Sequence, residues 1–219
     1  MGYFELFIVG LTAYLIAAVP FGLVLTKIFL RMDVREIGSH NTGATNVLRT
    51  GSRSLALATL VLDLVKPIVA WLAVEAVIRW LYGGMVVDLA RAMGAYPDAD
   101  IKIFVSIIAV LAHCFPVYLK FKGGKGVATA CGTMFLFSPY MAVVAFGSWL
   151  AILFIAKKSS LSSLAACVLT PLYAWLLVGE PRVVLTYVAI ALFVVARHRA
   201  NIRRLIKGEE DSVRVRRDK

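Results

Sequence analysis

The sequence KFKGGKGVAT, residues 120–129, places three lysines around a cluster of glycines between two apolar runs. Glycine lets the backbone turn so that amide N–H groups converge, and a helix that follows adds the positive end of its dipole. Such a segment is suited to bind an anion, above all a phosphate. It is not a Walker A loop, because GxxxxGK[ST] is absent. Taken alone, a flexible basic loop that touches lipid headgroups is an equally open interpretation.

A second donor-rich segment, IGSHNTGATNVLRT at residues 37–50, combines two glycines with hydroxyl and amide side chains and one arginine. Hydroxyl and amide groups donate hydrogen bonds to anions, although the same residues are common in turns. Two glycine-rich segments that each carry a cation favour one shared anion site. The candidate residues in this segment are Ser39, Asn41, Gly43, Thr45, Asn46 and Arg49.

Two further polar stretches lie beside later apolar runs. KKSSLSS, residues 157–163, opens a run with hydroxyls, and helix capping explains some of these serines. In ARHRANIRRL, residues 196–205, His198 and Asn201 are three apart and therefore share a helix face. A basic flank to a membrane helix explains the arginines, but it does not require His198 or Asn201.

Asp63 and Lys66 interrupt an apolar run three residues apart. Ionisable groups in a bilayer are costly and face the protein interior or a polar site. An ion pair within one helix that holds the bundle together is the simplest interpretation. His113, close to Pro116, is expected only to satisfy a helix end.

The composition indicates the scaffold that positions these groups. The chain of 219 residues is 60% hydrophobic with a mean hydropathy of +0.82, well above ordinary soluble domains, so lipid must serve as solvent. The net charge of +11 is confined to short segments between apolar runs, which disfavours nucleic acid as a partner. The three cysteines form no CxxC and are expected to be small hydrophobes in helices.

Apolar runs long enough to span a bilayer lie at residues 4–29, 55–80, 101–118, 139–156, 161–178 and 183–196. Basic clusters accumulate on the cytoplasmic side, and placing Lys125 and Lys157 there requires the short run 127–137 to cross, or to enter and return. We therefore predict an all-α integral membrane protein with seven transmembrane helices, the N-terminus outside and the C-terminus in the cytoplasm. The chain 1–219 is expected to form a single polytopic domain with a basic cytoplasmic tail from about residue 205.

The chemistry that fits these groups is anion binding. The sequence has no GxSxG, no HExxH and no paired carboxylates, and its histidines lack carboxylates at ligand spacing, so neither a metal nor another cofactor is expected. A transporter of phosphorylated metabolites is the main alternative to an enzyme. It predicts matching polar gates on both faces or an inverted repeat, and the outer loops at 81–100 and 179–182 offer no such cluster. A lipid-binding scaffold without activity would not need such specific glycine loops.

The pattern GSxNxGATNVxR, followed by FKGGKGVAT and a late HRxNI, resembles the bacterial acyl-phosphate:glycerol-3-phosphate acyltransferases, the PlsY-type enzymes of phospholipid synthesis. The resemblance covers essentially the whole chain, and it departs from the common pattern at His40 and Thr42. It implies acyl transfer from acyl phosphate to the sn-1 hydroxyl of glycerol 3-phosphate, giving lysophosphatidate and phosphate. It also implies seven transmembrane helices in the bacterial cytoplasmic (inner) membrane, with the active site facing the cytoplasm.

Residue by residue, the resemblance implies two sets of site residues. The catalytic set is Ser39, Asn41, Thr45, Asn46, Arg49 and Lys122. The substrate-binding set is Gly43, Gly123, Gly124, Lys125, Gly126, Ser160, His198 and Asn201. The implied partners are acyl phosphate, glycerol 3-phosphate and the lipid bilayer, and the protein is expected to be a monomer. Other glycerolipid acyltransferases take the hydroxyl proton with an H-x4-D histidine, which this sequence lacks, so the donor's own phosphate is expected to accept it. A neutral His198 imidazole is the one rival base.

Overall fold

The computed structural model describes residues 2–213, which form α-helices and two short 3-10 turns without any strand. The helices, numbered in chain order, are α1 (Tyr3–Ala17), α2 (Phe21–Leu30), α3 (Ala44–Leu48), α4 (Arg53–Tyr82), α5 (Gly84–Ala92), α6 (Asp98–Cys114), α7 (Val127–Met134), α8 (Pro139–Ala156), α9 (Ser159–Leu177), α10 (Pro181–Arg197) and α11 (Arg199–Ile206). The 3-10 turns are Val34–Glu36 and Val117–Leu119.

Within the described residues, five helical segments are long and apolar enough to cross a membrane: Tyr3–Leu30, Arg53–Tyr82, Asp98–Leu119, Pro139–Ala156 and Ser159–Leu177. A sixth is added if α10 and α11, which are bent by 63° at His198, count as one span. Large apolar side chains such as Phe154, Trp175 and Leu185 are exposed on the outside of the bundle. This arrangement suits a bundle solvated by lipid, and the prediction of an all-α integral membrane protein is confirmed.

The predicted helix bounds agree with α8 and lie within a few residues of α4, α9 and α10. The predicted run 4–29 is instead divided at Pro20, because proline lacks the N–H that would continue the helical hydrogen bonds. The run 101–118 ends as an α-helix at Cys114, two residues before Pro116. These differences arise from proline, whereas the apolar runs themselves are read correctly from hydropathy.

The short run predicted at 127–137 contains α7, which has only eight residues. At 1.5 Å per residue it rises about 12 Å, less than half of the roughly 30 Å hydrocarbon layer. Gly132 of α7 lies directly against the backbone carbonyl of Leu64 in α4, where a Cβ would have no room. Helix α7 is therefore a short helix inserted into the bundle beside α4.

Helix α4 lies at the centre of the bundle and packs against α1, α2, α3, α6 and α7. Its N-terminus is capped by Ser52, whose Oγ accepts a hydrogen bond from the Leu55 N–H at 3.3 Å. Near its far end, the Glu75 carboxylate accepts hydrogen bonds from Arg91 at 2.6 Å and Tyr96 at 2.9 Å, which ties α5 and the following loop to α4.

The predicted basic tail begins inside α11, which ends at Ile206, and residues 207–213 then fold back toward the bundle. Residues 214–219 of that tail lie outside the described residues.

Candidate functional site

The four polar stretches meet around one cavity of about 330 Å³. Cations, amides and hydroxyls line it together with apolar side chains that include Leu60, Leu64, Met134, Phe146 and Trp149. The predicted site residues that line the cavity are Ser39, Asn41, Gly43, Thr45, Asn46, Arg49, Lys125, Gly126, Ser160, His198 and Asn201. A cavity whose lining combines charged and apolar side chains suits a molecule with an anionic head and a hydrocarbon chain.

Asn46 organises the first glycine-rich segment, residues 37–50. Its buried amide Nδ2 donates to the carbonyl oxygens of Val34 at 2.7 Å, Ile37 at 3.1 Å and Asn41 at 2.8 Å. Its Oδ1 accepts from the Ser39 N–H at 3.0 Å. Because these bonds occupy the amide, Asn46 fixes the shape of the segment and leaves its neighbours to meet a ligand.

Two other contacts hold this segment against the cavity. Gly38 has a φ of +54°, and a Cβ there would lie 2.5 Å from Asn46 Oδ1 and 2.7 Å from Arg49 Cδ, so glycine is required. Thr45 Oγ1 lies 2.9 Å from Ser159 Oγ, which links the segment to the start of α9.

The buried Oδ1 of Asn41 has no hydrogen-bond partner among the described residues, so a ligand donor can use it.

Lys125 and Arg49 are the cations of the two glycine-rich segments that line the cavity. Lys125 Nζ donates to Asn201 Oδ1 at 2.6 Å, and burial lowers the pKa of Lys125 to about 8. Arg49 keeps a quarter of its side chain exposed. His198 is 2% exposed and its Nδ1 lies 2.8 Å from the Val194 carbonyl, which orients the ring at the bend between α10 and α11.

Helices α7 and α9 both begin at the cavity. Val127 and Ala128 of α7 and Ser159 and Ser160 of α9 line it, and neither N-cap makes a side-chain hydrogen bond. The first N–H groups of a helix have no partner within the helix, and the dipole places a partial positive charge there. Two helix N-termini therefore add to the attraction of the cations for an anion.

The structure does not bring Lys122, Gly123 or Gly124 to the cavity. The Gly123 and Gly124 N–H groups donate back to the carbonyl oxygens of Cys114 and His113, each at 3.1 Å, so the loop folds onto the end of α6. The Lys122 side chain is exposed. The substrate contact expected of Lys122 therefore stays a prediction that its position outside the cavity lining does not support, and the two glycines pack closely against the end of α6.

Two acidic residues at the cavity, Glu210 and Asp211, were not predicted from the sequence. The Glu210 carboxylate accepts from Asn201 Nδ2 at 2.7 Å and from Arg204 Nε at 2.6 Å, while Asp211 Oδ2 lies 3.4 Å from Arg49 Nη2. The Val213 N–H donates to the Lys157 carbonyl at 2.8 Å and closes the segment over the cavity. The only signal in the sequence is the switch from basic residues to GEED at 208–211.

The cavity wall also contains Asp63 and His113, which the sequence suggested were structural. In residues 2–213, no cluster of three or more His, Cys, Asp or Glu side chains is arranged to hold a metal ion.

The model of the glycerol-3-phosphate acyltransferase family matches residues 7–208. The chain belongs to this family. The glycerol-3-phosphate acyltransferase of Dinoroseobacter shibae is 43% identical over 206 residues, covering 94% of this chain and 92% of the relative. That of Pelagibacter ubique is 40% identical over 212 residues, covering 96% and 99%. The resemblance inferred from the motifs is confirmed.

Two solved structures are similar over 95% of this chain and 94% of theirs, at 32% sequence identity. Both are crystal structures of PlsY (YgiH), an integral membrane glycerol 3-phosphate acyltransferase. The glycerol 3-phosphate form has a TM-score of 0.79 and the lysophosphatidic acid form one of 0.77. The fold described above is therefore the PlsY fold.

Proposed function

We propose that this protein transfers a fatty acyl group from acyl phosphate to the sn-1 hydroxyl of glycerol 3-phosphate, giving lysophosphatidate and inorganic phosphate. The observation that carries the proposal is the cavity lined by both charged and apolar side chains. An acyl phosphate needs both kinds of lining, because its phosphate is anionic and its chain is hydrocarbon. The family assignment and the similarity to the glycerol 3-phosphate form of PlsY support the acceptor.

The positive charge of the cavity suits two phosphate groups at once. Together the two substrates bring about three to four negative charges near neutral pH. Arg49 and Lys125 face this charge from the two glycine-rich segments, and the N-termini of α7 and α9 add partial charges. Fixed charges in a site screened from water stabilise developing charge without reorganisation, which is where most of the rate acceleration arises.

The proton of the acceptor hydroxyl is assigned to the phosphate of the donor. In this step the hydroxyl oxygen forms an ester bond to the acyl carbon, the bond from that carbon to the phosphate oxygen breaks, and the departing phosphate carries the proton away. His113 lies 3.6 Å from Asp63, but Lys66 Nζ donates to His113 Nδ1 at 2.8 Å. With Lys66 as a charged ammonium, which can only donate, the ring proton lies on Nε2, and this imidazole then has no free nitrogen to act as a base.

A direct assay tests the proposal. Purified protein is given glycerol 3-phosphate with either acyl phosphate or acyl-CoA, and lysophosphatidate and phosphate are measured. We expect one phosphate released for each lysophosphatidate formed from acyl phosphate, and no reaction with acyl-CoA. Turnover of acyl-CoA at a similar rate would overturn the proposed donor. Formation of the sn-2 ester would overturn the proposed acceptor position.

We also propose seven crossings in the bacterial inner membrane, with the N-terminus outside and the cavity open to the cytoplasm. All four polar stretches border one cavity, which supports a common face. The fourth crossing would be made by the whole segment from the second glycine-rich segment to α8, in which the short α7 is surrounded by protein rather than lipid. Reporter fusions after Lys120 and after Lys219 should both read cytoplasm, and a fusion near Asp88 should read outside. A cytoplasmic reading near Asp88 would contradict this topology.

We propose a monomer as the active unit, because one chain supplies every residue named around the cavity. Light scattering of the purified protein, corrected for detergent, should give the mass of a single chain, and an obligate dimer would contradict this.

A further inference from the structure

Asp63, Lys66 and His113 form a cluster of ionisable side chains that the acyl-transfer chemistry does not use. Lys66 Nζ lies 2.9 Å from Asp63 Oδ1 and 2.8 Å from His113 Nδ1. The three side chains are 4%, 2% and 7% exposed, respectively. Lys66 also reaches the carbonyl of Val19 at 3.3 Å, where α1 gives way to α2. Buried ionisable groups within a membrane bundle are costly even when they are paired, so this cluster points to a role beyond helix packing.

The second glycine-rich segment, residues 120–129, rests directly on this cluster. A Cβ on Gly124 would collide with His113 Nε2, and a Cβ on Gly123 with the His113 carbonyl and Pro116. The Gly124 N–H donates to the His113 carbonyl at 3.1 Å, and the Gly124 carbonyl accepts from Arg197 Nη2 at 3.1 Å. The loop at Gly123 and Gly124 therefore packs directly against His113.

The residue after Gly124 is Lys125, whose side chain turns into the cavity and donates to Asn201. Lys66 donates to both His113 Nδ1 and Asp63, so the imidazole is held at one edge and presents the other edge to the loop. A small displacement of a group that binds the reacting phosphates costs large factors in rate. The cluster therefore contacts Gly124, the residue directly before Lys125, and the position of the Lys125 amine matters for the reaction.

We infer that Asp63, Lys66 and His113 are positioning residues that fix the 123–126 backbone and thereby set the place of Lys125 in the cavity. This inference rests on the proposed function, because it takes Lys125 as a phosphate-binding group. Although Asp63 and His113 also border the cavity, their effect on the reaction is assigned to the position of Lys125 and not to a contact of their own with the substrates.

A double-mutant cycle tests whether the cluster affects the reaction through Lys125. His113→Asn keeps an acceptor for Lys66 but removes the part of the ring beneath Gly124. We expect it to lower kcat/KM by about tenfold or more in the parent protein, and by less than about threefold when Lys125 is already alanine. If the two losses multiply, His113 acts independently of Lys125 and the inference is overturned.

A second pair of variants guards against a general loss of folding. The double exchange Asp63→Asn with Lys66→Met removes both buried charges together, so no ion is left without its partner. We expect the melting temperature of this variant to lie within a few degrees of that of the parent. As for His113→Asn, its loss of kcat/KM should be much smaller when Lys125 is already alanine. Glu75→Gln is the matched control, because it neutralises another buried acid of α4 that lies outside the cavity. It should leave kcat/KM within about twofold.

A readout without turnover separates this inference from the proposed function. Lys125 in the purified protein is methylated reductively without substrates, and the rate is followed by mass spectrometry of its peptide, with Lys157 as internal reference. His113→Asn should raise the Lys125 rate at least about threefold, because the amine leaves its buried contact with Asn201. An unchanged rate overturns the inference even if the enzyme turns over acyl phosphate. A raised rate in a protein that does not use acyl phosphate supports the positioning and contradicts the proposed reaction.

Discussion

The two glycine-rich segments have similar composition but contribute to the cavity in different ways. In residues 37–50 several polar side chains face the cavity, among them Ser39, Asn41 and Arg49. In residues 120–129 the glycines turn toward the end of α6, and Lys125 is the lysine of that segment that lines the cavity. A glycine cluster beside lysines can therefore serve close backbone packing that orients one lysine side chain, rather than binding an anion with its amide N–H groups.

The difference between the two segments is tested most sharply by replacing one glycine of each with alanine, which adds a methyl group. Gly124→Ala should abolish activity or folding, because the new Cβ collides with His113 Nε2. At Gly43 a Cβ meets nothing within 4 Å, and φ is −77°, which any residue adopts. Gly43→Ala should therefore fold normally and lose at most about tenfold in kcat/KM. Yield, melting temperature and kcat/KM of both variants check this, and equal losses would contradict it.

The next largest effect is expected from the cation of the first segment. Arg49→Ala should lower kcat/KM by at least about 100-fold, since a charge-assisted phosphate contact is worth roughly 3 kcal/mol. Arg53→Ala is the matched control, because Arg53 is exposed at the start of α4 and does not line the cavity. Similar kinetics for the two variants would mean that Arg49 does not bind phosphate.

The second segment predicts a pH dependence. Burial lowers the pKa of Lys125 to about 8, so its charge is lost as the pH rises through that value in the free enzyme. We expect kcat/KM to fall above pH of about 8, approaching tenfold per pH unit, because the neutral amine no longer attracts phosphate. Lys125→Arg should remove this alkaline limb, since arginine stays charged. An identical limb in both proteins would assign the titration to another group.

The smallest effect concerns Asp211, which lies 3.4 Å from Arg49 with its side chain 77% exposed. Asp211→Asn frees Arg49 from an exposed partner and should lower the KM for glycerol 3-phosphate by about twofold at low salt. The difference should vanish at high salt, because exposed charges are screened. A raised KM would show instead that Asp211 helps to hold the cavity closed.

The sequence predicted the fold class and most helix bounds, because hydropathy is a local property of the chain. It also predicted one shared anion site for the segments 37–50 and 120–129, because each combines glycines with a cation, and the family resemblance added Ser160, His198 and Asn201. It did not separate Lys122 from Lys125. That distinction depends on the loop folding back onto His113 and Cys114, which no local pattern encodes.

Two other features were beyond local sequence reasoning for the same reason. Asp63 and Lys66 were correctly expected to pair, but their third partner, His113, lies 47 residues from Lys66 along the chain. Glu210 and Asp211 were read as part of a basic tail, and only the fold brings them to Asn201 and Arg49.

The most direct test of the account compares the two lysines of the second segment. Lys125→Met and Lys122→Met remove the same charge three residues apart, and kcat/KM is measured with acyl phosphate and glycerol 3-phosphate. We predict a loss of at least about 100-fold for Lys125→Met, because its amine lines the cavity, and a change within about threefold for the exposed Lys122. Equal losses, or a larger loss at Lys122, would contradict the assignment of this cavity as the phosphate-binding site.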